Sequence, residues 1–600
     1  MWKHGASRLL ALALVWFSSA LYAQDIDRKW LALLHFQHGQ AQSDIDDATF
    51  FISDRGHRDP AAELQATIAA MQSDSLLRCR YPARYAYLRE RGLVDEAEAA
   101  TCGEYAAWRA KLNVDEVVLV MAASYLNSPS SMYGHTFLRL DPAGERSASA
   151  FLSHALNFAA NIPPGENGML YAYKGIFGGY PGHFSLQPYY EKIQEYNRLE
   201  NRDMWEYGLN LTSEEIDRLL GHVWELRGVN FGYYFFDENC AYRLLEVLDV
   251  ARPGVDLSDR FRYTAIPVDT VRAVAAAGLL AEVEYRPSKR VELDAVLQSL
   301  NDEQKQLVEA LHDDVAVLGS AAYTRQSEAD RAAVALASYR LLRYRRNRDA
   351  RDSAAAQRSH ALLREVGQYR AKLPAFAVPT PPRPDLAHGS GRASVSLGRS
   401  DGRDFVQGEW RISYHDALDP LPGYLPGATL AMGQLAFRQY REDGARLQYF
   451  DPLYIRSLSV RDRFFSPKSW QVRAGFTRLE GAEGAPMTAR VKAGMGGSWS
   501  LLGGVSYLLP SVQLEHNSDA QQNWRLAPLV ELGQLYQGEQ VSVEVTATVS
   551  DFGRDGRRET VAASLAWTVG RNQSLRFSAA QRSIAERDST EVQLSWRSYF

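Results

Sequence analysis

The chain has little of what usually identifies an enzyme or a nucleic-acid binder. Its 600 residues contain three cysteines, no phosphate-cradling glycine-rich loop and no Cys/His spacing of the zinc-site kind. ATP-driven work and a zinc module are therefore disfavoured, and no motif implies a cofactor. The formal net charge is only −5, which supplies no positive excess for nucleic acid, so none is expected as a partner. Beyond the N-terminus, no stretch approaches the roughly 18 consecutive apolar residues of a membrane-crossing helix. The length exceeds what a single core serves, so about two to four domains are expected.

What is present begins with an export signal. Lys3 and Arg8 precede the apolar run Leu9–Phe17, and small residues follow, with cleavage expected after Ala23 first and after Ala20 second. In an oxidising compartment Cys79 and Cys102, close together in one helical region, are expected to form a disulfide. That leaves Cys240 unpaired, either reactive or buried and inert.

The expected order of segments is signal peptide 1–23, helical region 24–112, mixed catalytic domain 113–290, helical region 291–373, Pro-rich linker 374–387 and barrel 388–600. Asp59 and Pro60 have the form of a helix cap with proline at the first helical position. Val117–Ala123 is a short apolar run of buried-strand type, and Thr212-Ser213-Glu214-Glu215 is a capping box. Arg340–Arg351 is strongly basic, either a solvated helix face or a contact for anionic lipid. After about Ala387 the helical period vanishes. About twelve segments of roughly ten residues alternate in character, Val541–Val549 most cleanly, as strands that cross a bilayer do. The chain stops at Phe600, with Trp596, Leu594 and Val592 on the same face, similar to the terminal signature of bacterial outer-membrane barrels. A soluble barrel or sandwich with one wet face is the alternative. An even strand number puts both ends on one side, leaving the N-terminal domains in the periplasm. Such a barrel implies outer-membrane lipid as surroundings and the barrel assembly machinery as a partner during biogenesis.

Cys240 follows Asp237-Glu238-Asn239 at the start of a helix-like run, where the helix dipole favours thiolate. His135, about a hundred residues earlier, begins an apparent strand. Together they suggest a cysteine nucleophile with a histidine base. Cys240 would attack an ester or amide carbonyl, His135 would carry the proton, and the Cys240 backbone N–H would meet the oxyanion. His154, on the next expected strand, is the chosen third residue, with Asn157 as substitute. Gly178–His183 is a lid or a plain turn. A metal set of His135, His154, His183 and Cys240 lacks ligand spacing.

Gly134-His135-Thr136-Phe137-Leu138-Arg139 followed by Asn239-Cys240 resembles permuted NlpC-type enzymes, including the lecithin–retinol acyltransferase group. With Asn127–His135, Gly178–Gly182 and Tyr190-Glu191-Lys192 added, the set over about residues 110–290 resembles the Lnb N-terminal periplasmic domain family. The resemblance implies action on lipoproteins, moving an acyl chain within the lipid-modified N-terminal cysteine. Ser131, Tyr133 and Asn239 are then the expected substrate-binding residues. The fold class so implied is α+β: a permuted papain-like domain with flanking helices, followed by an all-β transmembrane barrel. The leading expectation is an outer-membrane-anchored acyltransferase or acyl hydrolase acting on lipids or lipoproteins. A cysteine peptidase or amidase on cell-wall peptides comes second, and a non-enzymatic barrel with a binding domain third.

Overall fold

Two sequence periods produce two architectures. The computed structural model describes residues 27–600 apart from 75, 95–101, 127–131, 145–151, 164, 346–352, 442–443, 480–484, 518–522, 554–555 and 585–586. The expected signal peptide and Ser131 fall outside the described residues. The chain divides into two compact units, Met1–Ala123 with Gly134–Arg286, and Ser124–Tyr133 with Pro287–Phe600.

The first unit is built on seven strands: β1 (Val114–Ala122), β2 (His135–Pro142), β3 (His154–Ala160), β4 (Tyr180–Pro188), β5 (Met204–Leu209), β6 (Phe231–Tyr233) and β7 (Leu280–Arg286). They lie in the order β6-β4-β3-β2-β1-β5-β7, each pair antiparallel. Val117 to Ala122 are buried without alternation, as the continuous apolar run requires of a strand covered on both faces. Val118, Val120, Phe137 and Ala155 pack with Tyr189 and Tyr196 on one face. Helices α1 (Ser213–Glu225) and α2 (Cys240–Ala251) are antiparallel neighbours, and α2 lies against β2 and β3. The capping box read at Thr212 and Glu215 is formed, and Asp59 caps the helix that Pro60 begins. Cys79 and Cys102 are joined, with Cα atoms 5.1 Å apart.

In the second unit the helices Lys289–Gln298, Asp302–Asp313, Glu328–Arg345 and Ser353–Gln368 pack around a core of Leu293, Val308, Val334 and Leu341. Part of the basic stretch is used inside this unit. Arg340 donates to the Glu292 carbonyl and Arg345 to that of Phe464.

From Arg392 onward, twelve long antiparallel strands each pair with the next in the chain. The last, Arg587–Tyr599, pairs with the first, Arg392–Ser400, setting Trp596 opposite Val395 and closing the barrel. A two-residue strand, Val460–Arg461, runs parallel to part of Met487–Leu501. The alternation is inside out relative to a soluble barrel. Along Arg403–His415, Val406, Trp410 and Ile412 are 44–49% exposed, whereas Gln407, Glu409 and Arg411 are buried. Apolar side chains outside and polar ones inside are what lipid around and water within demand. The barrel lies in the outer membrane, with the N-terminal domains in the periplasm.

This pattern makes a direct prediction. Leu594→Arg, on the lipid face near mid-strand, destabilises the barrel by about 2–4 kcal/mol. Gln593→Glu, on the lumen side, changes it by less than about 1 kcal/mol. Urea unfolding in phospholipid vesicles distinguishes the two; equal effects would contradict the assignment of faces.

Candidate functional site

Cys240 is held by the residue before it. The Asn239 Oδ1 accepts from the backbone N–H groups of Ala241 (2.9 Å) and Tyr242 (3.2 Å), capping α2. Its Nδ2 donates to the carbonyls of Phe235 (3.2 Å) and Ala265 (2.7 Å). All four hydrogen-bonding positions of the amide are thus occupied. Asn239, expected to bind substrate, instead fixes the helix start. One turn on, the fully buried Arg243 pairs with Glu246 at 3.0 Å and with Glu238 in the loop ahead of the cysteine. Behind α2, Asp44 accepts from the Tyr242 hydroxyl at 2.6 Å, and His35 Nδ1 lies 3.0 Å from Glu246. The N-terminal helical segment therefore braces the helix that carries the cysteine.

The Cys240 Sγ is 3.0 Å from His135 Nδ1. On the other side of the ring, His135 Nε2 is 2.7 Å from Asn157 Oδ1. An amide oxygen offers only lone pairs, so this bond places the ring proton on Nε2 and turns the Nδ1 lone pair toward sulfur. The pair is 8% and 3% exposed at His135 and Cys240, so it is closed off from bulk solvent.

Burial controls its charge state. It pushes the Cys240 thiol up, outweighing the N–H groups of Thr136 and Ala241, the Thr136 hydroxyl and the Arg202 charge, which all pull the other way. It also pushes His135 down to about 3, against the Asn157 hydrogen bond and with help from the Lys192 and Arg202 charges. The resting pair is a neutral thiol and a neutral imidazole. The expectation of a thiolate favoured by the helix terminus is corrected: desolvation of a buried charge exceeds a dipole contribution of about 0.3–1 kcal/mol.

His154, the chosen orienting residue, is replaced in that role by Asn157. The register Leu138↔Leu156 and Leu140↔His154 explains why. Continued toward the start of β2, it sets Asn157 opposite Phe137, on the same face as His135, while His154 shares a face with Leu140. His183 is exposed on β4, opposite Ala159. Tyr133 belongs to the second unit, where its hydroxyl is 2.8 Å from Ser413 Oγ and its ring packs on Tyr414. Within the Gly178–His183 stretch only Gly178 and Gly179 connect: Gly178, at φ +78°, ends the helix Gly168–Phe177, and Tyr180 to His183 already belong to β4. A side chain at Gly178 would strike the Tyr234 ring.

Three contributors were not singled out. Thr136, next to the histidine in the chain, is fully buried and pulls the Cys240 thiol down against the effect of burial. The Tyr196 ring lies 5.6 Å from that of His135, with the Arg202 guanidinium 4.9 Å from the Tyr196 ring centre. Tyr196 sits in a π-helical turn, Ile193–Leu199, an irregularity with no sequence signature. Thr136 was legible only as the neighbour of the histidine. Among the described residues a possible metal-ligating trio, His388, His415 and Asp419, lies in the barrel unit, but Arg411 holds Asp419 at 2.6 Å and Arg576 lies 3.4 Å away, an unfavourable setting for a cation.

Because the thiol is both buried and protonated, its alkylation by iodoacetamide in the full chain at pH 7 is at least about tenfold slower than that of free cysteine, and rises steadily past pH 9. A rate flat down to pH 5 would indicate a standing thiolate–imidazolium pair. Asn157→Ala leaves the His135 Nε2–H unpaired and lowers stability by about 1–3 kcal/mol, read from thermal unfolding; no change would remove Asn157 from the site.

Comparison with known proteins agrees with this division. Family models match residues 104–277 as the Lnb N-terminal periplasmic domain. Residues 24–91, 283–382 and 381–599 match three models described only as domains of unknown function. No curated protein matches the chain. Solved structures with which it aligns include the KdgM porin in complex with disordered oligogalacturonate (8% identity, TM-score 0.22), an anion-selective porin from Comamonas acidovorans (9%, 0.19) and the NanC porin (7%, 0.23). Each alignment covers 35% of this chain and 99% of the porin. With the Cys240–His135–Asn157 site on its sheet and helix, residues 104–277 are an Lnb N-terminal periplasmic domain, carried on a chain that ends in an outer-membrane β-barrel.

Proposed function

We propose that the protein is a cysteine-dependent acyltransferase or acyl hydrolase that takes lipids or lipoproteins as substrates through an acyl-enzyme on Cys240. The observation that carries this reading is the 3.0 Å contact between Cys240 Sγ and a His135 whose other nitrogen is fixed by Asn157. In the first step the thiol proton moves to His135 Nδ1 as sulfur attacks the acyl carbonyl. The Cys240 backbone N–H is the donor we assign to the developing oxyanion. Collapse expels the alcohol or amine, which takes the proton back from His135, and leaves a thioester. An acceptor hydroxyl, amine or water then attacks the thioester while His135 removes its proton. That returns the thiol. The fold this implies for the domain is a permuted papain-like one.

The surroundings favour an acyl chain over a polar peptide. Tyr196 and Phe137 line the histidine side, and buried Tyr233 and Phe158 stack a short way along the sheet. The helix Gly168–Phe177 packs against Phe235 through Gly175 and Tyr171, in the loop leading to Cys240. Its other side exposes Leu170, Tyr173, Ile176 and Phe177, a stripe suited to lipid. A peptidase on cell-wall peptides would use the same pair but calls for an open, charged cleft. Tethering to the barrel raises the effective concentration of membrane-borne substrate.

The test is to incubate the full-length protein with diacyl phospholipid, diacylated lipoprotein or peptidoglycan fragments and follow products by mass spectrometry. Acyl transfer or release is expected with the first two, lost in Cys240→Ala and reduced by about 10²–10⁴ in His135→Ala. Turnover of the peptidoglycan fragments alone would bring the amidase reading forward. Unimpaired cellular function in Cys240→Ala would favour a binding role.

A further inference from the structure

The barrel lumen carries a charge imbalance that the domain chemistry does not use. Its cavity, about 570 Å³, is lined by eleven basic side chains against six acidic ones. Most form ion pairs across the lumen, such as Arg438 with Glu591 (3.0 Å) and Lys492 with Glu531 (2.8 Å). Among the described residues two arginines do not. There Arg478 donates only to backbone carbonyls, those of Leu447 (2.7 Å) and Ala485 (3.1 Å). Arg490 forms no ion pair among the described residues, and its buried Nε meets no acceptor. The nearby carboxylates are already taken: Asp451 by Arg473, and Glu515 by Arg525 and Arg558.

The placement of these groups has a direction. The barrel begins and ends at its periplasmic end, where the turn bearing Asp416 and Asp419 is held by Arg392, Arg411 and Arg576. Asp416, Ala417 and Leu418 line that end of the cavity. Arg478 closes the strand Ser469–Arg478, and Arg490, opposite Gly475, lies near the start of the next, Met487–Leu501, both toward the opposite, outward end. A guanidinium left without a counter-charge in a low-dielectric wall is poorly stabilised, and its planar fork matches carboxylate and phosphate oxygens. A lumen with one sign in excess also concentrates the opposite ion. The volume falls within the range of small-molecule sites.

We propose that the outward half of the lumen is a binding site for a small soluble polyanion bearing phosphate or carboxylate groups, centred on Arg478 and Arg490. The closed ring of strands shuts out lipid headgroups from the side, so the ligand enters from water. This site is independent of the cysteine chemistry.

The test is calorimetric titration of the full-length protein in detergent micelles with inorganic pyrophosphate and, separately, citrate, with sucrose as the neutral control. Saturable binding of at least one anion and none of sucrose is expected. The double substitution Arg478→Gln with Arg490→Gln weakens it on the order of tenfold or more, and so does added salt. Gln593→Glu, which adds negative charge to the same lumen from a strand across the ring, weakens it too and covers the case in which the double variant fails to fold. No saturable binding of either anion to the unaltered protein, or equal binding by all variants, would overturn the proposal.

Discussion

Burial of a cysteine and a histidine that face each other disfavours a charge on either, and the periplasmic domain is organised around that constraint. Removing both groups from water raises the thiol, lowers the imidazole and leaves two neutral partners 3.0 Å apart. A neutral imidazole has one donor and one acceptor nitrogen, so something must decide which is which. Asn157 does so with a single amide oxygen. Because asparagine carries no charge, it sets the tautomer while drawing a proton onto the ring less strongly than a carboxylate would. On the proposed reading, the pair ionises as a substrate carbonyl accepts the sulfur's electrons.

Holding that geometry takes more than three residues. Asn239 uses its whole amide on the helix start and the loops behind it, and Arg243 ties the helix to Glu238 and Glu246. The N-terminal segment reaches the same helix through Asp44 and His35. This gives a physical reason for an enzyme-like domain to carry an extra helical region ahead of it: the buried charges on α2 need partners that the sheet does not supply.

Much of this was legible in the chain. Cys240 and His135 could be singled out because a lone cysteine ahead of a helix and a histidine at a strand start are local patterns. The capping box at Thr212 and the strand at Val117 are local too, and both formed. The barrel was legible because a lipid-facing strand alternates at every second residue, which Val541–Val549 and the run ending at Phe600 display directly. The third site residue was not, since choosing between His154 and Asn157 requires the β2–β3 register, a matter of which residues face across two strands. The charge state was also hidden: helix position suggested thiolate, but burial, invisible in one sequence, decides it. Tyr196 and Arg202 approach the site through an irregular turn that no period announces.

The barrel and the periplasmic domain apply opposite solutions to one problem, the placement of polar groups away from bulk water. In the domain the reactive pair is neutral, and buried charges near it form ion pairs, as Arg243 does with Glu238 and Glu246. In the lumen polar groups are many, charged and left in surplus of one sign. The account as a whole rests on the sulfur forming a covalent bond to an acyl group. The most direct measurement is peptide mass spectrometry of the full-length protein quenched in acid within seconds of mixing with a diacyl phospholipid. The account predicts a fatty-acyl mass on the Cys240 peptide that hydroxylamine at neutral pH removes, as it does thioesters. Acyl groups found only on other residues, or an unmodified Cys240 while product accumulates, would contradict it.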